Sequence, residues 1–143
     1  MSIKQISIFL ENKAGRLYDV SSALGEANID IHALSLADTS DFGILRLIVN
    51  EPEKASAILK EKGFTVGITD VIAVEVEDKP GGFAKVMKIM QDAKINIEYM
   101  YAFVEKTKDN AIVIFRVDNI ETAINTLEKK GLHILREAEV LDL

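Results

Sequence analysis

Apolar and polar side chains alternate from the start of the chain. Ile6, Ile8 and Leu10 fall on one side, and Ser7, Phe9 and Glu11 on the other. A period of two predicts a strand with one buried face. A polar loop containing Gly15 follows, and the spacing then changes: Leu17, Val20, Ser21 and Leu24 lie along one face of a helix. Residues 29–36 return to a strand pattern. A polar turn with Asp38, Thr39, Ser40, Asp41 and Gly43 leads into a third strand, where Leu45, Leu47 and Val49 alternate with Arg46 and Ile48. Residues 53–62 read as a short helix with an acidic start and a basic end, which suits the helix dipole. Gly63 stands where a C-terminal cap glycine belongs, and residues 64–68 read as a fourth strand.

The whole order then recurs. Ile72, Val74 and Val76 repeat the first strand, and Phe83, Val86, Met87 and Met90 repeat the first helix face, with both methionines read as core fillers. Residues 95–103 repeat the second strand, with Tyr99, Tyr101 and Phe103 alternating with Met100 and Ala102. Val113, Phe115 and Val117 repeat the third strand, residues 121–130 the second helix, Gly131 its cap and residues 133–136 the last strand. The offset is 66 between Gly15 and Gly81 and 68 between Gly63 and Gly131, so two residues are gained in between, within Glu105–Asn110. A unit of this length repeated only twice implies two similar domains, because solenoids need three or more stacked repeats.

Each half therefore reads strand-helix-strand-strand-helix-strand. That is an α+β, ferredoxin-like βαββαβ unit. Right-handed crossovers put both helices on one face of a four-stranded antiparallel sheet. The expected division is 1–69 and 70–143. Strand alternation places Phe9, Ile48, Ile112 and Ile114 on the other sheet face, as apolar surface for a second half or a second chain to cover. The tail, residues 137–143, carries Val140, Leu141 and Leu143 and is expected to dock.

Charge and composition narrow the functional classes. The net charge is −6, with 7 basic and 10 acidic side chains in residues 1–70 and 10 and 13 in residues 71–143. Without a basic face, binding to a nucleic-acid backbone is not expected. Absence of cysteine removes disulfide, zinc-thiolate and redox-pair chemistry and agrees with a cytoplasmic location. No apolar run is long enough for a membrane helix, and the N-terminus lacks a signal-peptide core.

The ordered set of motifs resembles the ACT domain. An apolar strand leads into Asn/Asp-x-Pro/Ala-Gly-x-Leu/Phe, then a helix, then Asn-Ile or its like before the next strand. The two copies are Asn12-Lys13-Ala14-Gly15-Arg16-Leu17 and Asp78-Lys79-Pro80-Gly81-Gly82-Phe83, with Ile29-Asp30-Ile31 and Ile95-Asn96-Ile97 at the second position. The resemblance covers essentially the whole chain, twice. It implies a sensor of small molecules, usually amino acids, that regulates enzymes of amino-acid metabolism, with effectors held at a domain–domain interface beside the loop after the first strand. Carried over, the ligand residues are Asn12 to Leu17 and Asp78 to Phe83, together with Asp30, Ile31 and His32 and with Asn96, Ile97, Glu98 and Tyr99. Ala14 departs from the pattern where the second copy has Pro80, which implies a looser first loop.

The residues suit that chemistry. Gly15 and Gly81 let the backbone approach a ligand. A helix N-terminus favours a carboxylate. Asn12 or Asp78 offers acceptors to an α-ammonium, while His32, Glu98 and Tyr99 offer a specificity wall. The polar residues among these favour a polar or ring-bearing amino acid over a branched aliphatic one. In the plainer reading, the loops are simple turns, Asn12 and Asp78 are helix caps, and Lys13, Arg16 and Lys79 are solvated charges. Neither metal nor cofactor is implied. The expected partners are a free amino acid, a second copy of the chain, or an enzyme of amino-acid metabolism. Two functions compete: a stand-alone sensor without catalysis, and a regulatory subunit acting through its sheet face. An enzyme is the weakest reading, because Ser21 and Ser22 sit within a helix pattern far in sequence from His32 and His133.

Overall fold

The computed structural model describes residues 2–38, 41–103 and 109–143. The expected turn at Thr39 and Ser40, and most of the segment holding the two-residue insertion, lie outside them. Two compact units are present: Lys4–Thr69, and Asp70–Leu143 joined by Ile3 from the chain start.

The first unit comprises β1 (Ile3–Glu11), α1 (Arg16–Glu26), β2 (Ile31–Asp38), β3 (Phe42–Val49), α2 (Pro52–Glu61) and the first part of β4 (Thr65–Glu77). β1 and β2 each pair antiparallel with β3, Leu10 facing Gly43 and Leu36 facing Leu45. Ile6, Ile8 and Leu10 from β1 and Leu45, Leu47 and Val49 from β3 pack with Val20 and Leu24 of α1 and Leu59 of α2. The period-2 and helical stripes of the sequence therefore meet in one core. Pro52 occupies the first turn of α2, where its missing N–H costs nothing.

The second unit repeats this plan. The rest of β4 is followed by α3 (Gly82–Asp92), β5 (Ile97–Ala102), β6 (Asn110–Val117), α4 (Ile120–Lys129), β7 (Ile134–Leu135) and α5 (Glu137–Leu141). β6 pairs antiparallel with β4 and β5, and β7 pairs with β4. Ile72, Val74, Val76, Val113, Phe115 and Val117 form the core with Val86, Met90, Ala123 and Leu127.

Four details differ from the sequence expectation. The second strands begin two residues late, because Asn28 and Lys94 take left-handed φ of 59° and 58° and close the preceding helices. Ile29 and Ile95 then donate their N–H groups to Leu24 and Met90 carbonyls at 2.9 Å each, so the helix cap uses what a strand would have used. Secondly, the fourth strand of the first half does not stop near Ile68; it runs on as β4. Thirdly, the last strand shrinks to two residues because Arg136 becomes the N-cap of α5, whose Val140 is buried; the tail docks through this helix beside β7. Finally, of the residues expected on open apolar surface, Phe9 is 55% exposed, whereas Ile48, Ile112 and Ile114 are buried at 2%, 1% and 0%. Gly63 and Gly131, at φ 91° and 81°, cap α2 and α4 as the sequence indicates.

Candidate functional site

The glycine loop of the first unit begins where β1 ends. The Asn12 N–H donates to the Asp41 carbonyl at 3.0 Å and the Lys13 N–H to the Glu11 carbonyl at 2.8 Å, which turns the chain away from the sheet. Gly15, at φ 90°, is the N-cap of α1, a conformation that disfavours other residues. Gly15 has no side chain with which to cap the helix. The first N–H groups of a helix have no intrahelical acceptor and favour an anion.

Beneath this loop lies a cavity of about 220 Å³, lined by Leu10 to Leu17 together with Leu36 and Gly43. All six loop residues of the first motif, Asn12, Lys13, Ala14, Gly15, Arg16 and Leu17, line it. Lys13 pairs with Glu11 at 3.0 Å, and hydrogen bonding from Lys13 holds the Glu11 carboxyl below its ordinary range. The Arg16 guanidinium lies 5.6 Å from the centre of the Phe64 ring. A wider hollow of about 440 Å³ shares Leu10, Glu11 and Arg16 and extends to Phe9, Phe42 and Phe64.

The second loop has the same outline and a tighter build. Asp78 donates its N–H to Asp109 and Lys79 to Glu77, at 3.0 Å each, and the Gly82 N–H reaches the Lys79 carbonyl at 2.9 Å. The matching Arg16 contact is longer, at 3.3 Å. Gly81, at φ 87°, is the N-cap of α3 and likewise has no capping side chain of its own. A Cβ on Gly82 would fall 2.0 Å from the Glu77 carbonyl oxygen. Arg16 holds that place in the first loop, which must therefore be wider. Lys79 and Lys85 converge on Glu77 at 2.8 and 3.8 Å. The Lys79 hydrogen bond lowers the Glu77 pKa, and Lys79 itself is raised by Glu77. Pro80 is exposed in the loop and Phe83 is 38% exposed.

The other expected ligand residues lie elsewhere in their units. Ile31 pairs with Val49, at the opposite end of β2 and β3 from the Glu11–Phe42 end that carries the loop. At roughly 3.3 Å per residue, that is about 20 Å away. Asp30 and Asn50 bond each other there, and His32 occupies a register shift. Asn96, Ile97, Glu98 and Tyr99 repeat the arrangement: Asn96 donates its N–H to Asp118, Ile97 faces Val117, and Glu98 lies at the register shift, 3.7 Å from Arg116. Tyr99 faces Arg116. Within a unit, the start of the second strand is thus not beside the glycine loop, because an antiparallel ladder puts that strand's far end there. Sequence reasoning missed Leu10, Leu36 and Gly43 as lining residues. Only the register could have found them, since it sets Leu10 against Gly43 and carries Leu36 to the loop end.

Among the described residues no cluster of three or more His, Asp or Glu is placed to hold a metal ion, and no helix is long and apolar enough to cross a membrane.

Two ferredoxin-like units, each with a helix that opens on the glycine of its loop, define a tandem of the regulatory ACT type. The family model for an ACT domain pair matches residues 1–143, and the chain belongs to that family. No curated protein matches it. Among solved structures, protein BT0572 from Bacteroides thetaiotaomicron is 41% identical, with a TM-score of 0.94 over 100% of this chain and 98% of that one. The ligand-free regulatory subunit of aspartate kinase from Thermus thermophilus is 17% identical, with a TM-score of 0.64 over 88% and 91%. That from Thermus flavus is also 17% identical, with a TM-score of 0.63 over 88% and 90%. The last two share the fold.

Proposed function

We propose that this chain is a regulatory sensor that binds a free amino acid and catalyses no reaction, acting in the cytoplasm through two ACT units divided between residues 69 and 70. The observation that carries the reading is the cavity beneath the first glycine loop, between a helix N-terminus that opens on a glycine and an ion-paired rim. A free amino acid carries one charge of each sign. Its α-carboxylate suits the N-terminus of α1, with Lys13 and Arg16 close by. Its α-ammonium suits the ionised Glu11 and the Asn12 side-chain oxygen. The second loop, Asp78 to Phe83, offers the same groups in a closer turn. Binding would bias the chain toward whichever state holds the ligand more tightly, and so alter a contact with an enzyme of amino-acid metabolism or with a second copy.

A thermal-shift panel of the standard amino acids tests this. A ligand at 100 times its dissociation constant adds about 2.7 kcal/mol to the native state. A selective rise supports the sensor, and a flat panel on folded protein removes it. A second reading, a regulatory subunit working through protein contacts, is favoured by Phe9 and Phe42, which share a sheet face and are 55% and 53% exposed. Loss of a co-purifying enzyme on Phe9→Ser and Phe42→Ser replacement would support it; capture that both variants leave intact would count against it.

A further inference from the structure

The cavity's side chains point to the class of amino acid. We infer that the first unit alone holds one ligand per chain, and that this ligand is an amino acid with an apolar side chain. The inference rests on the sensor reading and makes it specific.

Three leucines carry the argument. Leu10 forms part of the cavity wall and is otherwise in the core at 4% exposure. Leu17 and Leu36 line the same cavity, yet they are 45% and 46% exposed. Large apolar side chains left half in water around a concavity are the surface that a ligand's apolar group would cover. The charged groups of the lining, Glu11, Lys13 and Arg16, all belong to the strand end and the loop, where the zwitterionic head would sit. The described lining on the sheet side, Leu10, Leu36 and Gly43, presents an apolar wall to a ligand side chain.

An apolar lining turns the preference away from the polar side chains suggested by Asp78, Glu98, His32 and Tyr99. None of those four residues lines the cavity.

The second unit keeps Glu77, Lys79 and Gly81 for Glu11, Lys13 and Gly15 but differs at positions that shape the pocket. Ala102 stands 66 residues beyond Leu36 and removes the wall; Ala111 stands 68 beyond Gly43 and adds a methyl group to the floor. Their registers match, Ala102 facing Val113 as Leu36 faces Leu45, and Ala111 facing Val76 as Gly43 faces Leu10. Gly82, packed on the Glu77 carbonyl, leaves no room for the side chain that Arg16 carries.

Isothermal titration of the full chain with L-leucine, L-isoleucine, L-methionine, L-valine, L-alanine, L-phenylalanine, L-aspartate and L-lysine tests the inference. One site per chain is expected, with affinity falling about fourfold for each methylene removed from leucine through valine to alanine. L-aspartate and L-lysine should bind at least tenfold more weakly than L-leucine. Leu36→Glu, at an exposed edge-strand position, should abolish the L-leucine signal with an unchanged circular dichroism spectrum, and Ala102→Glu should leave it intact. Tightest binding by aspartate or lysine, two sites per chain, or loss of the signal on Ala102→Glu alone would overturn the inference while leaving an amino-acid sensor standing. No heat with any amino acid would remove both.

Discussion

Replacing Gly82 by alanine isolates the difference between the two glycine loops. The added Cβ would stand 2.0 Å from the Glu77 carbonyl oxygen and 3.2 Å from the Glu77 Cβ. The obstacle is backbone, so no rotamer change relieves it. The loop must open by more than an ångström, and the hydrogen bonds that close it, Lys79 N–H to Glu77 at 3.0 Å and Gly82 N–H to Lys79 at 2.9 Å, go with it. At a net of about 1 kcal/mol each, the expected loss is about 2 kcal/mol. For a unit of this size that lowers the melting temperature by about 10 °C. Arg16→Gly is the matched control in the first loop. It forfeits the guanidinium–Phe64 contact and adds chain entropy, together about 1 kcal/mol. Urea melts followed by circular dichroism, with amide exchange across residues 77–83, give both numbers. Were Gly82→Ala to cost less than 0.5 kcal/mol, on the order of an ordinary surface change, the tight turn assigned to the second loop would be wrong.

Three further outcomes follow from the helix ends and the tail. Lys94 holds φ 58° where the other helices use Gly63, Gly131 and Asn28; relief of a left-handed cost of roughly 1–2 kcal/mol, less the entropy of glycine, makes Lys94→Gly more stable by about 0.5–1 kcal/mol in urea melts, and a loss of stability would contradict the cap assignment. Asn119 accepts the Thr122 N–H at 3.1 Å at the start of α4, so Asn119→Ala should cost about 1 kcal/mol by the same assay, and Asn119→Asp little. The Arg136 N–H, with His133 and the Arg136 side chain, lowers the Glu139 pKa from 4.5 to about 2. A depressed carboxyl stabilises the native state above its unfolded value and loses that contribution as pH falls through its folded one. Glu139→Gln should therefore weaken tail protection in amide exchange at pH 7, with the difference from wild type closing between pH 4.5 and 2. A difference that persists unchanged at pH 2 would point to another cause.

Periodicity was enough to find both units, because the stripes through Ile6, Ile8 and Leu10 and through Ile72, Val74 and Val76 record which face meets the helices. It misplaced the strand starts at Ile29 and Ile95, since an apolar residue that closes a helix cap looks the same as one that opens a strand. The glycine loop was legible from Gly15 and the helix pattern behind it. The cavity beneath it was only half legible. Leu36 and Gly43 reach it through pairing on β3, a relation between distant residues that one-dimensional spacing does not carry. The same ladder takes His32 and Glu98 to the far end of their sheets. Burial of Ile48, Ile112 and Ile114 was likewise invisible to alternation, which assigns a face but not what becomes of that face.

The two copies differ around the loop at four positions that bear on the pocket. Ala14, Arg16, Leu36 and Gly43 in the first correspond to Pro80, Gly82, Ala102 and Ala111 in the second. Proline fixes the turn, glycine lets the Glu77 carbonyl close in, the lost leucine removes the wall and the added methyl raises the floor. Two of these changes tighten the second loop, one fills its floor and one removes its wall, while the glycines that hold the frame, Gly15 with Gly81 and Gly63 with Gly131, are kept. The combination is therefore testable as a set. Pro80→Ala, Gly82→Arg, Ala102→Leu and Ala111→Gly together should relax the second loop into the shape of the first and raise the L-leucine stoichiometry from one to two per chain. Gly82→Arg alone should only destabilise, because its Cβ meets a loop still held by Pro80. A folded quadruple variant that still binds a single L-leucine would show that these four positions do not separate the copies, and the leucine pocket would need another explanation.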